Sequence, residues 1–313
     1  MAAPTPARIV GCLVGGAIGD AWGFPHEGSI EVPSPGSGPV GGVSDETELM
    51  VATCEAIVRR GQVDPAEIAA RMLARFQRRA IAGLGASTLQ ALRNLDAGAH
   101  WALAGARGDR AAGNGPATRI APLAFLLDPN QRADRERIRE VCRITHHHEQ
   151  AYAGALAMVW AVRWAAELDG DAARVPLLSF VASRLPDSAV RDRLCTLEAL
   201  DRRFTPRAVA ERFGASGYVG ESVPLALFAA QDARDRDFAD VVRSAVEAGG
   251  DCDSIGSMAG QIAGAALGVQ SIPTALREPI EDIAGIERSA TTFAELVAPR
   301  RAHSTVPAVN ERP

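Results

Sequence analysis

Gly249-Gly250-Asp251-Cys252-Asp253-Ser254-Ile255 opens a stretch that runs on to Gly268, with Gly256, Gly260, Gly264 and Gly268 at every fourth position. Residues four apart share one face of a helix, so this segment predicts a helix with a groove of glycines along one side. Glycine inside a helix costs roughly 0.5–1 kcal/mol relative to alanine, and the repetition therefore calls for a compensating contact, a second backbone brought very close. The same spacing recurs near the N-terminus in Gly11, Gly15 and Gly19. Two glycine-grooved helices point to tightly packed core helices, and each adjoins an acidic loop, Asp20 to Glu27 in one case and Asp251 to Ser254 in the other. The stretch 255–272 comes nearest to a membrane span. Its Gly and Ala content, Gln261, Gln270 and the acidic loop before it make it a buried helix instead.

Working outward, helical periodicity runs through Ile9 to Asp20, Glu48 to Arg60, Pro65 to Arg79, Arg135 to Arg143, Gln150 to Leu168, Val175 to Arg184, Ala189 to Arg202, Ser222 to Ala230, Phe238 to Ala248 and Ile255 to Val269. Alternating strand patterns are absent. Gly/Pro-rich loops separate the helices at Phe24 to Val43, Gly105 to Pro116 and Arg212 to Gly220. No linker divides the 313 residues, so the expectation is one all-α domain over residues 1–298, with 299–313 a C-terminal tail. With 47% hydrophobic but only 5% aromatic residues, the core has to be built from Ala, Leu, Val and Ile, which favours close-packed helices. A net charge of −5 carries no basic footprint for nucleic acid. Five cysteines without CxxC spacing read as reduced thiols, and residues 1–8 lack a basic leader pattern, so a cytoplasmic protein is expected. No exposed apolar stripe stands out, so a monomer is expected.

Three segments concentrate hard oxygen ligands: Gly19 to Glu27, Ser44-Asp45-Glu46-Thr47-Glu48, and Gly249 to Ser254. Carboxylates interleaved with hydroxyls suit Mg²⁺ or Mn²⁺ better than zinc. Helix capping competes with this reading. Asp45 with Glu48 fits a capping box, and Asp253 or Ser254 can cap the glycine helix. Either loop alone reads more readily as a cap. Several acids and hydroxyls crowded into both turns favour a cation, because like charges there repel unless neutralised.

These residues resemble a known family. Gly15-Gly16-Ala17-Ile18-Gly19-Asp20-Ala21 through Pro25 and Glu27 is similar to the N-terminal signature of the ADP-ribosylhydrolases, a family that includes the dinitrogenase-reductase activating glycohydrolases. Ser44-Asp45-Glu46-Thr47 resembles its Thr/Ser-Asp-Asp-Thr motif. Gly113-Asn114-Gly115-Pro116-Ala117-Thr118-Arg119, Thr145-His146, Gly217-Tyr218-Val219 and the Gly249 to Ser254 segment match further motifs in the same order, over roughly Ile9 to Ile286. The resemblance implies an all-helical fold with a pair of Mg²⁺ or Mn²⁺ ions. Carried over position by position, Ser44, Asp45 and Glu46 would bind the ions from one side and Asp251, Asp253 and Ser254 from the other. Glu27 would stand beside them, and Glu27, Glu46 and Asp45 would be the catalytic acids. Gly113, Asn114 and Gly115 would line the distal ribose and diphosphate, His146 the ribose region, and Tyr218 the adenosine end. The implied reaction is release of ADP-ribose from a modified protein side chain or small molecule, arginine-linked by preference.

Glu46 departs from the family's usual Asp, and the extra methylene displaces the carboxylate by about 1.5 Å. That departure is what keeps open a second reading, binding of ADP-ribose or a nucleotide without cleavage. Arg119 can pair with a phosphate or form a structural salt bridge. Trp22 and Trp101 serve equally as core or as cleft wall. Cys252 reads as a small apolar filler turned away from the ions.

Overall fold

The computed structural model describes residues 4–28, 38–167, 175–200 and 203–302. Its helices are α1 (Pro6–Gly23), α2 (Asp45–Arg60), α3 (Pro65–Gln77), α4 (Ala86–Asp96), α5 (Trp101–Ala104), α6 (Gly115–Arg119), α7 (Ala121–Ala124), α8 (Arg132–Arg143), α9 (Glu149–Glu167), α10 (Leu177–Ala182), α11 (Ala189–Glu198), α12 (Pro206–Phe213), α13 (Val219–Ala230), α14 (Phe238–Val246), α15 (Cys252–Leu267), α16 (Thr274–Arg277) and α17 (Ile283–Ala302). Among the described residues there are no strands, only isolated bridges at Gly41–Ile280, Ala106–His146 and Gly113–Tyr218. The all-α expectation is met.

The glycine grooves meet each other. A side chain on Gly11 would run into the carbonyl of Gly264, one on Gly15 into that of Gly260, and one on Gly19 into that of Gly256, with the reverse true from α15. The pairing order makes α1 and α15 antiparallel, and their interface is the most extensive in the molecule. Gly23 extends the seam, because its Cβ would overlap the backbone of Cys252 and Asp253. Gly268 leaves it: with φ +82° it ends α15 in a conformation that favours glycine. Close backbone approach of this kind brings Cα–H···O contacts worth ~0.5–1 kcal/mol each, which offsets the helix-propensity penalty.

The remaining helices wrap this pair. α9 is buried along nearly its whole length, from Ala151 to Glu167, and packs against α6, α8, α13 and α15. A helix apolar on all sides belongs in the middle of a core. Trp22 is core rather than cleft wall, 1% exposed, with Arg243 over its ring, and Trp101 packs on the core beside His100. No helix among the described residues is long and apolar enough to cross a membrane.

Periodicity alone does not assign α4, α12 or α17. α4 starts at Gly85, which offers no side-chain cap, and α12 is a short surface helix with only Val209 and Ala210 buried. α17 continues to Ala302, past the Pro299 at which a tail is expected, and residues 303–313 lie outside the described ones, as do Leu168 and Arg202.

Overpacking the seam tests its closeness. Gly15→Ala is expected to lower stability by about 1–3 kcal/mol in urea unfolding. Gly42→Ala, where the new Cβ meets only a Glu281 carboxylate oxygen at 3.7 Å, is expected to stay within about 0.5 kcal/mol of the parent.

Candidate active site

The seam sets the site, because it lays the C-terminal end of α1 against the N-terminal end of α15. Asp20 sits on the last turn of α1, fully buried. Its carboxylate accepts from Ser44 N at 3.0 Å, from Thr47 N at 3.1 Å and from the Thr47 hydroxyl. Asp20 therefore clamps the first turn of α2 to α1, and Ser44, Asp45 and Glu46 are delivered from there. The N-cap of α2 is Ser44, not Asp45: the Ser44 hydroxyl accepts from Glu46 N at 3.4 Å. The N-cap of α15 is Asp251, and its side chain makes no capping bond. Asp45 and Asp251 are thus not consumed as caps, while Asp253 Oδ1 accepts from the first-turn Ser254 N at 2.8 Å, so capping accounts for only part of the crowding.

The approach to α15 needs glycine twice. Gly249 and Gly250 have φ of +81° and +71°, and a Cβ on Gly250 would strike the carbonyl of Ala215. This turn aims Asp251 and Asp253 at the start of α2, and Asp251 N donates to Ala215 O at 2.8 Å.

Two carboxylate triads result, Asp20 with Glu46 and Asp253, and Glu27 with Asp251 and Asp253; within each, one oxygen per residue lies within 4.8 Å of the others. Asp253 belongs to both. Glu46 links the loops, since its Oε2 accepts from Ser44 Oγ at 2.5 Å and its Oε1 from Ser254 Oγ at 2.7 Å. The longer side chain in place of the family's Asp thus reaches across to α15 and holds both hydroxyls. Asp45 lies outside both triads, 6% exposed, and lines the cleft on the side of Gly83.

Burial followed by the charge of Glu46 pushes the carboxyls of Asp20, Asp45, Asp251 and Asp253 above the usual range. Glu27 is raised as well, by burial, Asp251 and Glu46. A group of acids that raise one another in this way is a place where positive charge is missing. The all-oxygen donor set of carboxylates and serine hydroxyls fits a hard divalent cation.

The cleft above has a volume of about 740 Å³ and is lined by Glu27, Asp45, Glu46, Gly113, Asn114, Gly115, His146, Asp251, Asp253 and Ser254, together with Thr88 and Arg110. Most of the residues expected from sequence converge there. Asn114 lines the cleft, and its amide also donates to Asp251 Oδ2 at 2.6 Å and to Ser222 Oγ at 3.0 Å, so it orients a carboxylate of the acidic floor. Tyr218 stands at the rim, 40% exposed and outside the cleft lining, while its backbone bridges to Gly113. Ser44 is fully buried beneath Glu46. Cys252 turns its sulfur to the carbonyl of Gly23 at 3.4 Å. Arg119 faces no open surface and, among the described residues, pairs with no carboxylate; it is fully buried and bonds to Gly115 O, Thr145 Oγ1 and Val141 O. The clamp by Asp20, the support from Thr47 and the Asn114–Ser222 pair are functional features that sequence spacing does not announce. They join residues far apart in the chain through side-chain hydrogen bonds.

The body is all-helical, with a carboxylate-lined cleft between the starts of α2 and α15. The ADP-ribosylglycohydrolase family model matches residues 1–304. The chain belongs to that family, which supports a glycohydrolase acting on ADP-ribose linkages. It is similar to ADP-ribosylhydrolase ARH3 of Gallus gallus, 24% identical over 94% of each chain. It is also similar to ADP-ribosylarginine hydrolase Tri1 of Pseudomonas putida, 28% identical over 85% of this chain and 72% of that one. A solved structure described as an ADP-ribosylglycohydrolase-related protein complex superposes with a TM-score of 0.71 at 27% identity, covering 93% of this chain and 98% of the other.

Asp20, which clamps α2 from α1, and Asp45, the first residue of α2, are expected to respond oppositely in chelator-treated protein. Asp20→Asn puts an amide donor against backbone and hydroxyl donors and should cost about 1–3 kcal/mol in urea unfolding. Asp45→Asn relieves repulsion from Glu46, Asp20 and Asp253, and should raise the melting temperature.

Proposed function

We propose that this protein hydrolyses the glycosidic bond between ADP-ribose and a modified side chain, arginine by preference, using two Mg²⁺ or Mn²⁺ ions held by the acidic floor. The observation that carries the reading is the pair of carboxylate triads sharing Asp253 at the base of a 740 Å³ cleft. Asp253, common to both triads, would help hold the ions, with Glu46, Asp45 and Ser44 contributed from the start of α2 and Asp251 and Ser254 from the start of α15. The similarity to an enzyme named for ADP-ribosylarginine supports the arginine linkage. When bound, the ions would act as Lewis acids that orient the hydroxyls of the distal ribose.

The residues divide the remaining work by their surroundings. Both Glu46 oxygens are engaged by serine hydroxyls, so Glu46 holds the floor together. Glu27 is exposed at the cleft edge, and among the described residues its carboxylate has no hydrogen-bond partner. Its raised carboxyl suits a group that takes a proton from water and returns one to the leaving group. The remaining acids favour the oxocarbenium-like transition state through their negative charge. The gripped state of Glu46 also favours a second reading, in which ADP-ribose is bound without turnover.

Release of free ADP-ribose from an ADP-ribosyl-arginine peptide, with Mg²⁺, with Mn²⁺ and with chelator, tests the proposal. Metal-dependent release is expected, reduced at least about a hundredfold in Asp45→Ala and Asp253→Ala. Thermal stabilisation by ADP-ribose without release from arginine-, serine- or O-acetyl-linked substrates establishes the binding-only reading. Mn²⁺ added to chelator-treated protein should raise the melting temperature. The increment should grow from about pH 5 to about pH 8, because raised carboxyls hold protons that the ions must displace.

A further inference from the structure

Behind the cleft wall lies a chain of polar contacts that the acidic floor does not use. Arg119 is fully buried, has no carboxylate partner among the described residues, and donates from Nη1 to Gly115 O at 2.7 Å and from Nη2 to Thr145 Oγ1 at 2.7 Å. Thr145, also fully buried, lies 2.8 Å from His146 Nδ1 through the same hydroxyl. A guanidinium is only a donor, so the Thr145 oxygen accepts from Arg119 and has its own proton to place. Among the described residues the only acceptor within reach of that proton is His146 Nδ1. A buried hydroxyl left without an acceptor costs the full desolvation of its O–H. Nδ1 is therefore the acceptor, and the ring proton sits on Nε2.

His146 is 3% exposed, and among the described residues Nε2 has no hydrogen-bond partner. It opens into the cleft between the glycines that flank Asn114: a Cβ on Gly113 would lie 3.0 Å from Nε2, and one on Gly115 would lie 3.1 Å from Cε1. The backbone is pinned as well, with His146 N donating to Cys142 O at 2.9 Å and Ala106 N donating to Thr145 O at 2.9 Å.

We infer that Arg119 and Thr145 are positioning residues that lock His146 as a neutral Nε2–H donor aimed at the ligand, so that His146 binds an oxygen of ADP-ribose and takes no part in proton transfer. Burial pushes the imidazole down to about 3, with Arg119 and His148 acting in the same direction, so the ring carries no charge at neutral pH. Which ligand accepts the bond depends on ADP-ribose being the substrate; the tautomer does not.

The test is long-range ¹H–¹⁵N correlation on the ¹⁵N-histidine-labelled full chain without ligand, the His146 signals identified by their loss in His146→Asn. The neutral Nε2–H pattern is expected in the parent and in Thr145→Ser from about pH 5 to about pH 8. In Thr145→Val that pattern should give way to a mixture of tautomers, and ADP-ribose binding should weaken about tenfold, with Thr145→Ser restoring both. A proton on Nδ1 or a charged ring in the parent at neutral pH overturns the assignment, and needs no variant to fold. An unchanged tautomer in folded Thr145→Val overturns the role of Thr145. The expected tautomer in a parent that fails to bind ADP-ribose leaves the relay standing and removes the proposed substrate.

Discussion

The closeness of α1 to α15 is the constraint on which the rest depends. Three pairs of glycines, 11 with 264, 15 with 260 and 19 with 256, let two antiparallel backbones touch. Gly23 carries the contact to the first residues of α15. Any side chain along this seam would push the helices apart. That would separate Asp20 on the last turn of α1, and Glu27 just beyond it, from the start of α15 that bears Asp251 and Asp253. Helix-propensity loss along the seam is thus exchanged for placement of carboxylates at a single spot.

What gathers there is electrostatically unfavourable in the absence of a counter-charge. Asp20 is stabilised by hydrogen bonds from Ser44 and Thr47, and Asp251 by the Asn114 amide. Asp45 is raised by burial and by the charges of Glu46, Asp20 and Asp253. The buried cation that feels Asp45 and Glu46 is Arg119, whose own guanidinium is lowered to about 10 by burial despite them. One arginine behind the wall does not balance this many acids, and hard divalent cations in the cleft would. The opposite signs expected for Asp20→Asn and Asp45→Asn follow from this division between acids that hold the fold and acids that face the cleft.

Much of this was legible in the sequence, and the parts that were not share a cause. The fourfold glycine spacing and the three acid–hydroxyl segments are local patterns, so the seam and the floor could be expected before any coordinates. Gly23 as the last member of the seam, Asp20 as a clamp and Asn114 as a support depend on contacts between residues 24 or more positions apart, which no window reveals. The capping ambiguity at Asp45 was resolved only by geometry, which makes Ser44 the cap, because the same residue types serve as caps and as ligands. α17 was readable in principle from the spacing of Ile283, Ile286, Ala290, Phe293 and Val297, but Gly285 and Pro299 obscure it. Tyr218 is the N-cap of α13 with its side chain 40% exposed, a placement that the sequence motif alone does not convey.

The most direct measurement is anomalous diffraction at the manganese edge from crystals grown with Mn²⁺. Two peaks are predicted, one on each side of Asp253, the first against Glu46 and the second against Asp251 and Glu27. A cleft floor without bound manganese, or an ion bound away from Asp253, would contradict the account.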